Sequence, residues 1–400
     1  MLGFEVARDR LLAPARPMAG ERIALADAAG RVLLDPVVLA SVDVPAFANS
    51  AMDGYAVRAA DTPGRLRVTG EVTAGMGVLP AVEPGTTVRI MTGAPVPPGA
   101  DAIVPVEQAS EEASGAVDLA AASAGAHVRA AAHDTRVGDR VELGGALSPA
   151  RIAVLASLGI GAVDVRRRPR VAILSTGDEL VAPGQPIGPH QVHDANGVAL
   201  AAAAHEAGAD ATILDRVRDD AGAIEAALHD GDRADLIVTS AGVSVGRHDH
   251  VRTVLEQRGT LDFWRIAIQP GKPLAVGSFG GRTVIGLPGN PVSALVVFEL
   301  FVRPLIRKML GLPGDGRLHL RAEAVDRIGK DPARRAYLRV RVLPGATGFT
   351  ARAAGGQASS QLRPLADGNA LLVVPEGADA AEPGRTYEAI MLESLNEEDR

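Results

Sequence analysis

The apolar positions of this chain repeat with two periods, and the change from one to the other divides it. Residues 4–12 read as a short amphipathic helix, and residues 22–40 alternate around an Ala29-Gly30 turn, as strands do. Residues 66–107 read as all-β, with turns at Ala74-Gly75, Pro84-Gly85 and Pro97-Pro98-Gly99. The alanine-rich, weakly patterned residues 110–132 are assigned to loops and strands of the same β domain. Ser148-Pro149 supplies an N-cap and a first-turn proline for a helix over 149–158, which Gly159 stops. An arginine-rich run over 166–170 then marks a boundary.

Beyond that boundary strands and helices alternate. Residues 171–174 form an apolar strand, 196–207 a helix stopped by Gly208, and 211–214 the next strand. Asp219-Asp220 caps a helix through residue 228, and Leu236, Ile237 and Val238 read as a strand buried on both faces. A helix follows over 250–257, a strand near 261–268, a hairpin turning at Gly280-Gly281, and a long helix over 292–310 that ends at Gly311. This is βαβ order, which predicts a parallel sheet with right-handed crossovers. From about residue 317 short alternating strands such as 338–342 and 370–374, with turns at Pro344-Gly345 and Pro383-Gly384, predict a small β barrel. The expected fold is multidomain α/β plus β. A discontinuous connecting domain (1–44 and 143–168) carries an inserted β domain (45–142). A three-layer α/β domain with a mostly parallel sheet (169–314) and a C-terminal barrel (315–400) complete it.

Composition narrows the function classes. Lysine plus arginine (41) against aspartate plus glutamate (48) leaves a net charge of −7, so nothing argues for nucleic acid or an anionic membrane as a partner. Any anion must be met locally, which draws attention to Lys272 in Pro-Gly-Lys-Pro, since Lys272, Lys308 and Lys330 are the only lysines. With no cysteine, disulfides, cysteine-ligated zinc and a thiol nucleophile are excluded. The first residues mix charges before any apolar run, and the longest apolar stretch, 292–302, is broken by Glu299. A cytoplasmic protein is expected.

Three strand ends are expected at one edge of the α/β sheet: Ser175-Thr176-Gly177-Asp178-Glu179, the Asp219 turn, and the loop from Thr239 to Asp249. Small and hydroxylated residues from Thr239 to Gly246 let the backbone approach an anion and present donors to it. Asp178, Glu179, Asp219 and Asp249 gather there, either as helix caps or as oxygen ligands for a magnesium-assisted phosphate reaction. Lys272 and Arg265 complete the positive side. In the β domain, Asn49, Ser50 and Asp53 offer oxygens on one loop, and Thr92 ends a strand with a hydroxyl that can meet an oxyanion. His248 and His250 lack a third nitrogen ligand. The nucleotide-binding Gly-x-Gly-x-x-Gly and the phosphate loop are both absent.

Six motifs in order along the chain resemble the molybdopterin molybdenumtransferase family: Phe47-Ala48-Asn49-Ser50-Ala51-Met52-Asp53-Gly54-Tyr55-Ala56, Met91-Thr92-Gly93-Ala94, Ser175-Thr176-Gly177-Asp178-Glu179-Leu180, Gly242-Val243-Ser244-Val245-Gly246, Pro270-Gly271-Lys272-Pro273 and Leu287-Pro288-Gly289-Asn290-Pro291. The resemblance implies a molybdopterin-binding α/β domain in a homodimer of four-domain subunits, with a cleft shared between one subunit's α/β domain and the other's inserted β domain. It also implies insertion of molybdate into adenylylated molybdopterin, with magnesium and release of AMP. By motif, Asp53, Thr92, Glu179, Asp219 and Asp249 take catalytic roles, with Asp53, Glu179 and Asp219 as the magnesium ligands. Ser175, Thr176, Gly177, Asp178, Ser240, Gly242, Ser244, Arg265, Lys272, Pro288 and Asn290 bind the substrate. A molybdopterin adenylyltransferase and cofactor-accepting proteins are the implied partners. Ala241 departs from an expected glycine, and Gln269 stands where a lysine is common. Rival readings are the adenylyltransferase of the preceding step, a non-catalytic scaffold, and a tungstate-preferring enzyme.

Overall fold

Residues 1–113, 115–241, 250–346 and 348–395 are described in the computed structural model. They form two compact units, one from Arg22–Val165 and the other from Met1–Glu21 together with Arg166–Arg400.

In the larger unit, the strand order is Asp210–Ile213, Arg170–Ser175, Leu236–Ser240, Arg282–Leu287, Pro273–Phe279, Thr260–Arg265. The first four run parallel, with Ser175 beside Ser240 and Ser240 beside Leu287. The hairpin at Gly280 and Gly281, both with positive φ, turns the sheet antiparallel at its far edge. Strand Leu236–Ser240 is buried at every position because helices cover both faces. On one face Ala172, Leu174, Ile237 and Val284 meet Ile224 and Leu228 of helix Ala221–Asp230 and Val251 and Leu255 of helix His250–Arg258. Helix Ala195–Glu206 packs on the sheet and against helix Pro291–Val297.

Local signals account for the helix starts. Asp194 accepts the Gly197 N–H at 2.9 Å and Asp220 the Ala223 N–H at 2.9 Å, each satisfying a first-turn donor. Asp220 is therefore the cap, and the neighbouring Asp219 is not. The long helix expected over 292–310 is one helical run with a π turn, Phe298–Val302, between helices Pro291–Val297 and Arg303–Met309. Beside this turn Arg303 donates to Glu299 (2.6 Å), and Arg317 bridges Glu299 (2.9 Å) and Glu206 (2.8 Å).

The C-terminal strands close into a barrel. His319–Ala324, Arg335–Gly345, Gly348–Ala353, Ala370–Val374 and Thr386–Met391 pair in a ring, sealed where Arg335–Gly345 meets Ala370–Val374. Alternate residues Leu338, Val340 and Val342 point inward with Leu372, Val374 and Met391. The short strand Ile268–Gln269 leaves the α/β domain to pair with Arg335 and Ala336.

In the smaller unit, strands Ala102–Pro105, Gly54–Val57, Thr86–Ile90, Gly64–Val72, Ala116–Leu119 and Ala109–Glu111 make a six-stranded sheet with an apolar cluster on each face. A separate cluster joins Leu25 and Leu33 to Leu143, Leu147, Leu155 and Val165. Thus helix Pro149–Ser157, capped by Ser148 (3.4 Å from the Arg151 N–H), packs back on the segment after residue 22.

Candidate functional site

At the carboxyl ends of the parallel strands lies a cleft of about 800 Å³. Its α/β side carries Thr176, Glu179, Asn196, Ser240, Lys272 and the Pro288-Gly289-Asn290 turn. Its far wall comes from the barrel, through Arg334, Gln357, Ala358 and Ser359. One acid and two bases therefore face the space, with hydroxyls and amides between them. A concave site with few, placed polar groups suits a small anionic ligand.

The floor is fixed by one amide. Asn196 donates through Nδ2 to both the Ser240 hydroxyl (2.7 Å) and the Gly289 carbonyl (2.7 Å), tying strand end to turn. Ala241 then leaves the strand with φ +77°, a left-handed conformation, its N–H on the Leu287 carbonyl at 3.1 Å. Two hydrogen bonds join the α/β loops to the barrel loops: Asp331 N–H to Gln269 Oε1 (2.9 Å), and Asn290 Nδ2 to the Ser359 hydroxyl (2.9 Å). Asp331 in turn accepts from Arg334 Nε at 2.7 Å.

Of the residues expected to bind substrate, Thr176, Ser240, Lys272, Pro288 and Asn290 line this cleft, as does Glu179 of the catalytic set. Ser175 ends its strand completely buried, and neither it nor Gly177, the exposed Asp178, Asp219 or Arg265 is among the lining residues. Gly177 donates to the Val217 carbonyl (3.4 Å) across a bridge that brings the Asp219 turn beside strand Arg170–Ser175. Arg265 ends the antiparallel edge strand, and the second cation of the cleft is Arg334 instead. Gly242, Ser244, His248 and Asp249 lie outside the described residues. Asn196, Arg334, Gln357 and Ser359 escaped sequence reasoning. Only Asn196 carried a signal, as a polar residue in the first turn of a helix at the sheet's carboxyl edge.

The smaller unit prepares a carboxylate of its own. Gly54 has no room for a side chain, since a Cβ there would meet the Val104 carbonyl oxygen at 2.1 Å. Asp53, just before it, accepts both the N–H (2.6 Å) and the hydroxyl (2.7 Å) of Thr92 on one oxygen. These bonds, the backbone one first, hold Asp53 below the usual carboxylate range. Thr92, expected to meet an oxyanion, spends its hydroxyl proton on Asp53 and keeps that residue ionised.

Among the described residues no three carboxylate or imidazole side chains come together as a cation site.

Models of three regions of one family match the chain consecutively: the MoeA N-terminal region (domains I and II) over residues 2–159, a probable molybdopterin binding domain over 172–308, and the MoeA C-terminal region (domain IV) over 321–392. Molybdopterin molybdenumtransferase 2 of Mycobacterium tuberculosis is 41% identical over 88% of this chain and 90% of its own length. The chain belongs to the molybdopterin molybdenumtransferase family. The Haemophilus influenzae molybdopterin molybdenumtransferase is 39% identical over 78% of each chain. Two solved structures of the Pyrococcus horikoshii molybdopterin biosynthesis MoeA protein superpose with TM-scores of 0.82 and 0.81. Their identities are 31% and 26%, covering 99% and 98% of this chain and all of theirs. Family membership makes the chain an enzyme of the transferase class, and the α/β domain with its C-terminal barrel follows the architecture of those structures.

Proposed function

We propose that this chain transfers molybdenum to molybdopterin, taking adenylylated molybdopterin and molybdate as substrates and releasing AMP. The observation that carries the reading is the pairing of Lys272 and Arg334 on opposite walls of one cleft. Molybdate is a tetrahedral dianion and the adenylylated pterin carries a pyrophosphate. Both are met by cations, hydroxyls and amides, the groups present there. The dithiolene sulfurs of the pterin receive the metal, so a chain without cysteine supplies no thiol. Its residues bind, orient and neutralise charge as AMP departs. Magnesium dependence and a cytoplasmic setting belong to the same reading.

The reading includes a homodimer in which the Asp53 loop of a second copy completes the cleft, supported by the exposed, ionised state in which Thr92 holds Asp53. The decisive test is AMP release from purified adenylylated molybdopterin, with and without molybdate. Release that depends on molybdate and yields active cofactor is expected, with Lys272→Ala raising KM by roughly tenfold. Binding without release would leave a molybdopterin-binding protein in place of an enzyme.

A further inference from the structure

The barrel wall of the cleft is held from behind by two buried cations. Arg339, 1% exposed, donates through Nη2 to the carbonyls of Gly356 (3.0 Å) and Ala358 (3.1 Å). Among the described residues no carboxylate pairs with it. Its own main chain grips Gln357 on both sides, the N–H on Oε1 and the carbonyl on Nε2, each at 3.0 Å. Lys330, 9% exposed, donates through Nζ to the carbonyls of Asp331 (3.2 Å) and Arg334 (2.5 Å). Every one of these acceptors lies in, or within one residue of, a loop that lines the cleft.

Burying a charge is costly, and replacing buried ionic groups together with their partners by apolar side chains of similar volume often leaves stability unchanged or improved. Barrel stability alone therefore does not call for either cation. We propose that Lys330 and Arg339 are positioning residues for the substrate: they set the loops 331–334 and 356–359 in the form that presents Arg334, Gln357 and Ser359 to an anion, and add positive charge behind that wall. The C-terminal barrel is then part of the binding site. The inference rests on the proposed reaction for the identity of the anion, but not for the role of the loops.

The test uses the full-length chain with Arg339→Met, Lys330→Met and Gln357→Ala, and Arg339→Lys as the conservative control. KM for adenylylated molybdopterin and for molybdate is expected to rise about tenfold or more in the methionine and alanine variants. Their kcat stays within about twofold, their melting temperatures stay near that of the wild type, and Arg339→Lys recovers part of the loss. Folded methionine variants with wild-type KM would overturn the proposal. Should Arg339→Met fail to fold, Gln357→Ala decides, and an unchanged KM there overturns it equally. If the wild type releases no AMP, the proposed reaction falls. The loops are then read by calorimetric binding of AMP, which the variants must weaken about tenfold for the proposal to stand.

Discussion

Ala241 shows what a single methyl costs at a functional turn. A left-handed L-residue brings its Cβ against the following carbonyl oxygen, at about 1–2 kcal/mol, while glycine adds back about 0.5–1 kcal/mol through the freedom it has when unfolded. Ala241→Gly is therefore expected to stabilise the α/β domain by about 0.5–1 kcal/mol and raise its melting temperature by about 1–4 °C, read by calorimetry. A lower melting temperature would mean that the methyl's packing outweighs the strain. Gln269, the other departure, has a definite employment. Its amide oxygen accepts the Asp331 N–H, and a lysine has no acceptor to offer there. The cation missing at 269 is matched by Arg334, held by Asp331 in the same loop.

Among the elements, helix caps and stops were legible because they are local. Ser148, Asp220, Gly159 and Gly208 each act within a turn of their own position. The π turn at Phe298–Val302 was not legible, since an apolar run fixes that a helix is buried but not that it takes an extra residue per turn. Ion pairing between elements is equally hidden. His319, on the first barrel strand, places Nδ1 2.6 Å from Glu388 and Nε2 3.0 Å from Asp315. Burial opposes its charge, but the Glu388 hydrogen bond and the Asp315 carboxylate prevail and raise its pKa. A raised folded pKa gives stability that is full below the unfolded value of about 6.5 and lost as pH climbs through the folded one. The difference in unfolding midpoint between wild type and His319→Gln should thus be widest near about pH 6 and narrow toward about pH 9. A gap that widens with pH would contradict the assignment.

For the whole molecule, the strand ends delivering Thr176, Glu179 and Ser240 followed from βαβ order, because ligands sit at the carboxyl edge of such sheets. Arg334, Gln357 and Ser359 did not follow, since nothing in barrel periodicity says which loops face a neighbouring domain. The proposed shared cleft makes a prediction that belongs to no single subunit. Assayed well below KM, a mixture of folded Asp53→Ala and Lys272→Ala chains should exceed the mean of its parents by up to about a quarter of wild type for random pairing, because in the proposed dimer one cleft of each mixed pair is intact. Mixtures no more active than the mean of their parents, with exchange verified by mass, would place the two residues in separate functions.

The turn beneath Asn196 carries a consequence beyond this chain. A methyl added at Gly289 would stand 3.3 Å from the Ala241 Cβ, inside ordinary carbon contact. A side chain at both 241 and 289 thus requires the turn to give by a few tenths of an ångström, so across related sequences their occupancy should covary: alanine at one accompanied more often by glycine at the other than by a second side chain.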